Sequence, residues 1–175
     1  PIDLQDRVKE YENVTWSVSQ ERLLAQKELR LGALVLSSKS MDNPSLELVQ
    51  GALLKAVQSY GVRLLNLREE HFEALCCRIS SLKIWHTELD LPDVADEALL
   101  SDPSWIAPYL GNVKTSADFR RIDLAEALLA SLNYDLRDKL DKLAPAVVEV
   151  PSGSRIRLEY LRTGAAPKLS VRLQE

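Results

Sequence analysis

The stretch Val147–Tyr160 reads VVEVPSGSRIRLEY and contains the pattern of a strand, a turn and a second strand. Apolar and polar residues alternate from Arg155 onward, which is the period of a half-buried strand. Residues 151–154, Pro-Ser-Gly-Ser, have the composition of a turn. Residues 168–173 alternate again. The pattern therefore predicts a group of antiparallel strands within residues 146–175.

A second strand group is predicted near the start of the sequence, within residues 13–37. Apolar and polar residues alternate from Val14 to Val18. Leu23–Leu36 then predicts one long strand or two short ones, and Gly32 within it marks a bulge or a close approach of backbones.

The sequence between the strand groups, residues 45–143, has helical spacing. One helix is predicted from Leu46 to a stop at Gly61, and a longer one from Arg68 to Trp85. Thr115 and Asp118 have the spacing of a capping box. Further helical segments are expected at Glu97–Leu100, Asp102–Ile106, Asp123–Leu132 and Tyr134–Leu143.

This order of strands, helices and strands predicts an α+β fold. Short strand groups need partners for their backbone groups, and we expect the two groups to pair with each other. The prediction is one small antiparallel sheet or barrel with a long helical insert, in a single domain of residues 1–175.

Composition and length suit a globular domain, with 175 residues, 46% hydrophobic residues and a net charge of −4. No apolar run reaches the length of a membrane span, and the first residues do not show the basic and apolar pattern of a secretory leader, so we expect no secretion. The chain begins at Pro1 without an initiator Met, and we expect a piece of a longer protein. The adjacent Cys76 and Cys77 are expected to be buried or half-buried thiols in a reducing, cytoplasmic compartment.

Motifs for catalysis are absent from the sequence. It has no phosphate-binding glycine loop and no nucleophile elbow. Its two histidines, His71 and His86, lack the spacing of a zinc protease or a metal site. The acidic group at Glu69, Glu70 and Glu73 is typical of a solvated helix face. We expect no catalysis, no metal and no cofactor in this chain.

Positive charge is concentrated in the last strand group. Residues 146–175 hold five basic and three acidic residues, whereas residues 38–145 hold twelve basic and seventeen acidic ones. Alternation places Arg155 and Arg157 on one strand face, and Lys168 and Arg172 on one face of the next strand. If these strands pair, the four cations share a face that suits phosphate oxygens. The alternative is an ordinary solvated strand face.

The sequence around these cations resembles a known family. Residues 150–160, VPSGSRIRLEY, and residues 169–175, LSVRLQE, resemble the C-terminal half of bacterial HrpB-type ATP-dependent helicases of the DEAH-box group. The segments 30–36, 91–100 and 105–110 resemble the same family in the same order.

The resemblance implies an accessory part of an RNA helicase, whose RecA-like motor domains would precede this region and bind ATP and Mg. In related helicases an OB-like barrel helps to hold single-stranded RNA and couples it to the motor domains. An OB-like fold also uses stacking aromatics, but alternation places Trp16 and Tyr160 on buried faces. The expected nucleic-acid-binding residues are Ser152, Gly153, Ser154, Arg155, Arg157, Lys168 and Arg172.

A different function follows if the acidic helical insert repels RNA. It would then serve as a protein-interaction or regulatory module that docks the motor domains or another protein. No membrane partner is expected.

Overall fold

The computed structural model describes residues 4–170 and confirms the α+β class with helices between two groups of strands. The chain divides into two compact units. The first contains the described residues up to Leu65 together with Ala107–Ile122, and the second contains Asn66–Ile106 and the described residues from Asp123 onward. The prediction of a single domain stays a prediction.

The strands of the first unit are β1 (Val8–Ser17), β2 (Arg22–Leu31) and β3 (Leu34–Ser40). Its helices are α1 (Leu46–Leu64) and α4 (Ser116–Arg120). The second unit contains α2 (Glu70–Trp85), α3 (Asp96–Ser101), α5 (Leu124–Ser131), α6 (Tyr134–Leu143), β4 (Val147–Glu149), β5 (Arg155–Glu159) and β6 (Lys168–Ser170).

The two strand groups form separate sheets, which differs from the expectation of one shared sheet or barrel. Within residues 4–170 the strand orders are β1-β2-β3 and β4-β5-β6, all antiparallel. Each group contains three strands joined by short connections, so each central strand finds both of its partners locally. Local pairing costs less loop-closure entropy than pairing across the helical insert.

The core of the first unit lies between its sheet and α1. The inner face of α1 buries Leu53 and Val57 completely, and the helix packs on β1. Trp16 of β1 meets Phe119 of α4 edge to face, with ring centroids 5.2 Å apart. The predicted burial of Trp16 is therefore partly realised, since this residue is half-buried.

The core of the second unit is helical. Phe72 of α2 is completely buried and stacks on Trp105, with ring centroids 5.9 Å apart. The indole N–H of Trp105 donates to the carbonyl oxygen of Leu99 at 2.9 Å. Side chains of α2, α5 and α6 complete this core, among them Ile79, Leu82, Leu128 and Leu140.

Three local predictions differ from the structure. Gly61 does not end α1, because the helix continues to Leu64 and buries Gly61 within it. Gly32 lies in the turn between β2 and β3 with φ +59°, while the bulge falls at Leu29 and Arg30. Pro103–Trp105 and Ala107–Tyr109 are separate 3-10 turns instead of one helix, since Pro108 cannot donate a helical hydrogen bond.

Candidate nucleic-acid interface

The Pro-Ser-Gly-Ser turn joins β4 to β5 as predicted. The Gly153 N–H donates to the Val150 carbonyl oxygen at 2.8 Å, and the Val150 N–H donates to the Ser154 carbonyl oxygen at 3.0 Å. Gly153 has φ +82°, which a residue with a Cβ adopts only with strain. Ser152 and Ser154 are exposed beside it, so the turn presents hydroxyl groups to solvent.

Strand β5 presents its cations on one exposed face. Arg155 and Arg157 are exposed, whereas Ile156 and Leu158 between them are half-buried. Residues directly opposite in antiparallel strands share a face. Lys168 of β6 lies opposite Glu159, and Glu159 follows Arg157 by two residues. The structure thus brings Arg155, Arg157 and Lys168 to one face of the sheet, which we call the hairpin face.

Arg172, the fourth predicted cation, lies outside the described residues. The structure places Ser170 opposite Arg157 on β6. The hairpin face within residues 4–170 therefore has three of the four expected cations.

Each cation of the hairpin face has a carboxylate near it. Glu149 of β4 lies opposite Arg155, and Glu159 lies opposite Lys168. Arg157 donates from Nη1 to Oε1 of Glu70 at 2.7 Å, and the two side chains are 49% and 76% exposed. Sequence reasoning missed this pairing because Glu70 is 87 residues away from Arg157 in the chain. Charge on this face is nearly balanced.

A second ion pair anchors the connection between β5 and β6. Arg162 contacts both carboxylate oxygens of Glu73 on α2, each at 3.0 Å, and donates to the Val94 carbonyl oxygen at 2.9 Å. The Arg162 hydrogen bond, followed by its charge and that of Arg68, lowers the pKa of Glu73 against the opposing effect of burial. Arg68 extends the cluster to Asp96 of α3.

Sequence reasoning treated Glu73 as part of a solvated acidic face. No local signal distinguishes it from Glu69 or Glu70, because its partner Arg162 is 89 residues away. Glu69, in contrast, caps α2 by accepting from the backbone N–H groups of His71 and Phe72. These capping bonds lower the pKa of Glu69. The acidic group thus contains a helix cap, the surface partner of Arg157 and a structural anchor.

Two aromatic residues of the second unit, Tyr160 and Trp85, also hold the connection between β5 and β6 in place. Tyr160 is buried and donates its hydroxyl hydrogen to the Pro145 carbonyl oxygen at 2.7 Å. Trp85 donates to the Gly164 carbonyl oxygen at 2.7 Å and lies 6.1 Å from the Tyr160 ring. The predicted burial of Tyr160 is confirmed, and its ring is not exposed for base stacking.

The two cysteines are free thiols in α2. Cys76 is buried and Cys77 half-buried, as predicted, and burial raises the pKa of the Cys76 thiol to about 12. Within residues 4–170 no group of three or more His, Cys, Asp or Glu residues is arranged to hold a metal ion. Among those residues no helix has the length and hydropathy needed to cross a membrane.

Comparisons with known proteins connect both units to one helicase family. Residues 105–175 match the family model described as ATP-dependent helicase C-terminal. Residues 7–41 match the model described as ATP-dependent RNA helicase HrpB, connector region. The two matches include strands of both sheets.

A curated relative and two solved structures agree with these matches. The ATP-dependent RNA helicase HrpB of Escherichia coli (strain K12) is 31% identical over 169 residues, which is 96% of this chain. A crystal structure of the E. coli DExH-box NTPase HrpB is similar with a TM-score of 0.70 and 30% identity over 98% of this chain. A second, of the Escherichia coli DEAH/RHA helicase HrpB, has the same TM-score and identity over 97%.

The chain spans about a fifth of the length of these relatives: 21% of the curated protein, and 21% and 22% of the two crystallised chains. The resemblance drawn from the residues around Arg155 is confirmed over nearly the whole chain. The chain is thus similar to the connector and C-terminal regions of HrpB-type ATP-dependent helicases.

Proposed function

We propose that this chain is a non-catalytic accessory region of an ATP-dependent RNA helicase. It assists in binding single-stranded RNA and couples the bound strand to motor domains of the same polypeptide, which would bind ATP and Mg. A cytoplasmic location is part of the proposal, because two free thiols suit a reducing compartment. ATP hydrolysis by this chain alone would contradict the non-catalytic role.

The observation that carries the proposal is the common exposed face of Arg155, Arg157 and Lys168. Guanidinium groups two residues apart on a strand present forked donors that suit successive phosphate oxygens. The exposed hydroxyl groups of Ser152 and Ser154 lie beside this face at the turn, and Arg172, which is outside the described residues, is assigned to it from the sequence pattern alone. This arrangement supports contact with the RNA backbone, which is independent of base sequence.

The carboxylates on the hairpin face do not prevent this role. Glu70 and Arg157 are both largely exposed, and exposed ion pairs contribute about 0–1 kcal/mol. A phosphate that releases condensed counterions can replace such a partner. The nearby acids therefore weaken RNA binding without abolishing it.

Substituting Arg155→Ala and Arg157→Ala together should weaken binding of single-stranded RNA at least about tenfold at about 50 mM salt. For single-stranded RNA, each lost phosphate contact makes the slope of log K against log salt concentration less steep by about 0.7. The measurement is fluorescence anisotropy with a labelled RNA of about 12 nucleotides, titrated at several salt concentrations. Unchanged affinity in this variant would refute the assignment of the hairpin face.

A matched control removes two cations of the same unit at a distance in sequence from the turn. The control substitutions are Lys139→Ala and Lys142→Ala on α6. Lys139 pairs with Asp135, and Lys142 pairs with Asp138. This control changes the net charge as the test variant does. It should retain nearly all of the RNA affinity.

Neutralising Glu70 should strengthen RNA binding. The Glu70→Gln variant removes the carboxylate that occupies Arg157, and we expect an affinity about twofold to threefold higher at low salt because an exposed pair is worth less than about 1 kcal/mol. The same anisotropy titration measures the change. Glu97→Gln is the control, since Glu97 is an exposed carboxylate on α3. An equal gain in both variants would indicate a general effect of net charge instead of release of Arg157.

A specific feature of the first unit favours a second candidate function, docking of another protein or of the motor domains. Tyr11, Leu29 and the consecutive residues Leu34, Val35 and Leu36 are 42–62% exposed. The strand register places Tyr11 and Val35 on one face of the sheet and Leu29 and Leu34 on the other, so this end of the sheet exposes apolar surface on both faces. Large exposed apolar patches are typical of interaction surfaces. A chain with no RNA affinity even at low salt, but with affinity for the separated motor domains, would favour docking over RNA binding.

A further inference from the structure

A groove in the first unit has the charge pattern of an anion-binding surface. It runs along the start of β2 between the segments 40–46 and 111–114, and its volume is ≈ 450 Å³. We call it the β2 groove. All of its lining residues belong to the first unit, so its geometry depends on that unit alone.

Two cations line the β2 groove, Arg22 and Lys114. Backbone hydrogen bonds hold their segments together. The Leu23 N–H donates to the Lys114 carbonyl oxygen at 2.8 Å, and the Ser116 N–H donates to the Glu21 carbonyl oxygen at 2.9 Å. These bonds place the two cations on neighbouring, paired backbones although they are far apart in the sequence.

Arg22 and Lys114 differ from Arg157 of the hairpin face, which is paired with Glu70. The side chains of Arg22 and Lys114 are exposed, and the described part of the chain places no carboxylate within ion-pair distance of either. Asp42 is the one carboxylate among the lining residues that the structure describes. The β2 groove therefore keeps an excess of positive charge, whereas the hairpin face is nearly balanced.

Two further exposed cations, Arg120 and Arg121, lie at and just after the end of α4 in the same unit, although they do not line the groove. The carboxylate of Asp118 on α4 already has other partners. One of its oxygens accepts from the N–H groups of Lys114 and Thr115, each at 3.0 Å, and the other lies 3.6 Å from Arg121. The two backbone bonds lower the pKa of Asp118, so it stays charged while it organises the segment that carries Lys114.

The remaining lining suits a nucleotide better than a bare anion. Gln26, Ser40 and Asn43 offer neutral donors and acceptors, and Met41 and Leu46 offer apolar surface. A base can lie on apolar side chains while amide groups bond to its edges. The volume of the groove also far exceeds that of one phosphate ion.

We infer that the β2 groove is a second RNA-binding site, in which Arg22 and Lys114 hold the phosphates of a single strand. The choice of RNA as ligand rests on the proposed function, but the site is different from the hairpin face. The two assignments can fail separately because their residues belong to different units of the chain.

The test uses the whole chain with the substitutions Arg22→Ala and Lys114→Ala. Loss of up to two phosphate contacts should weaken binding of single-stranded RNA about tenfold at about 50 mM salt and lower the salt slope by up to about 1.4. A control removes two exposed cations of α1, Lys55 and Arg63, which do not line the groove, and should bind RNA nearly as the parent chain does.

A charge-preserving pair, Arg22→Lys with Lys114→Arg, should restore most of the affinity, because phosphate contact needs the charge more than the exact side chain. If the groove binds an RNA strand, inorganic phosphate should displace the RNA only weakly. The phosphate is added at concentrations low enough that the salt dependence of RNA binding can still be measured. Full competition at low phosphate would instead identify a phosphate-ion site and overturn the inference.

The combined results separate the proposals. Loss of affinity in the hairpin variant but not in the groove variant would overturn the second site and leave the proposed function intact. Loss only in the groove variant would support the second site and refute the hairpin assignment. No measurable RNA binding by the parent chain at low salt would overturn both.

Discussion

Replacing Phe72 by Ala should lower the free energy of unfolding of the second unit by about 3–5 kcal/mol. Phe72 is completely buried in the first turns of α2 and stacks on Trp105. The substitution removes apolar side-chain surface that folding takes out of water. It also leaves a cavity that the close-packed neighbours fill only in part. Few single changes in this chain should cost more.

Urea unfolding followed by circular dichroism and by indole fluorescence measures this loss. The Trp105 ring loses its stacking partner in the variant, so the emission of the folded protein should also change. Tyr134→Ala is the control, because this aromatic side chain is 80% exposed on α6 and should change stability by less than about 0.5 kcal/mol. A Phe72→Ala variant as stable as the parent chain would show that the core is not built on this residue.

Arg162→Ala should destabilise the second unit by about 2 kcal/mol at neutral pH. Removing one partner of a partly buried pair leaves Glu73 without its main counter-charge, a loss of about 3–5 kcal/mol in fully buried pairs. Here the side chains of Arg162 and Glu73 are 31% and 35% exposed, so solvent screening reduces the cost. The variant also loses the hydrogen bond to the Val94 carbonyl oxygen.

The effect of Arg162→Ala should depend on pH in a defined direction. The folded-state pKa of Glu73 is lowered, chiefly by its hydrogen bond to Arg162. The charged carboxylate therefore stabilises the fold above its unfolded pKa of about 4.3, and this stability is lost as the pH falls through the lower folded pKa. The stabilities of parent and variant should converge in acid.

Unfolding at a series of pH values between about 3 and 7 measures this convergence. Arg162→Lys keeps the charge but loses the forked contact, and it should fall between the parent and the Ala variant. Lys139→Ala, which removes the exposed partner of Asp135, should change stability little. A constant difference between Arg162→Ala and the parent chain over this range would exclude the ion pair as the cause.

Local order was largely predictable from the sequence. The capping box at Thr115 and Asp118 is present as its spacing indicated, and α2 ends at Trp85 as expected. The alternation that placed Arg155 and Arg157 on one face of β5 is also found. These features depend on hydrogen bonds and periodicity within a few residues, which a sequence displays directly.

Long-range features were not predictable in the same way. Glu70 and Glu73 have similar local surroundings in the sequence, yet one pairs with Arg157 on the surface and the other anchors Arg162. The pairing of Lys114 with the start of β2 was equally hidden. Side chains more than eighty residues apart meet only after the chain has folded.

The sequence by itself determined the α+β class, the alternation that exposes the cations of β5, and the resemblance to HrpB-type helicases. The tertiary structure decided that the strands form two sheets, that Arg157 of the hairpin face is paired with a carboxylate, and that Arg22 and Lys114 are in no ion pair within residues 4–170. The physical reason is that strand period and helix caps are local properties. The electrostatic environment of a charge, in contrast, depends on every residue that the fold brings within a few ångströms.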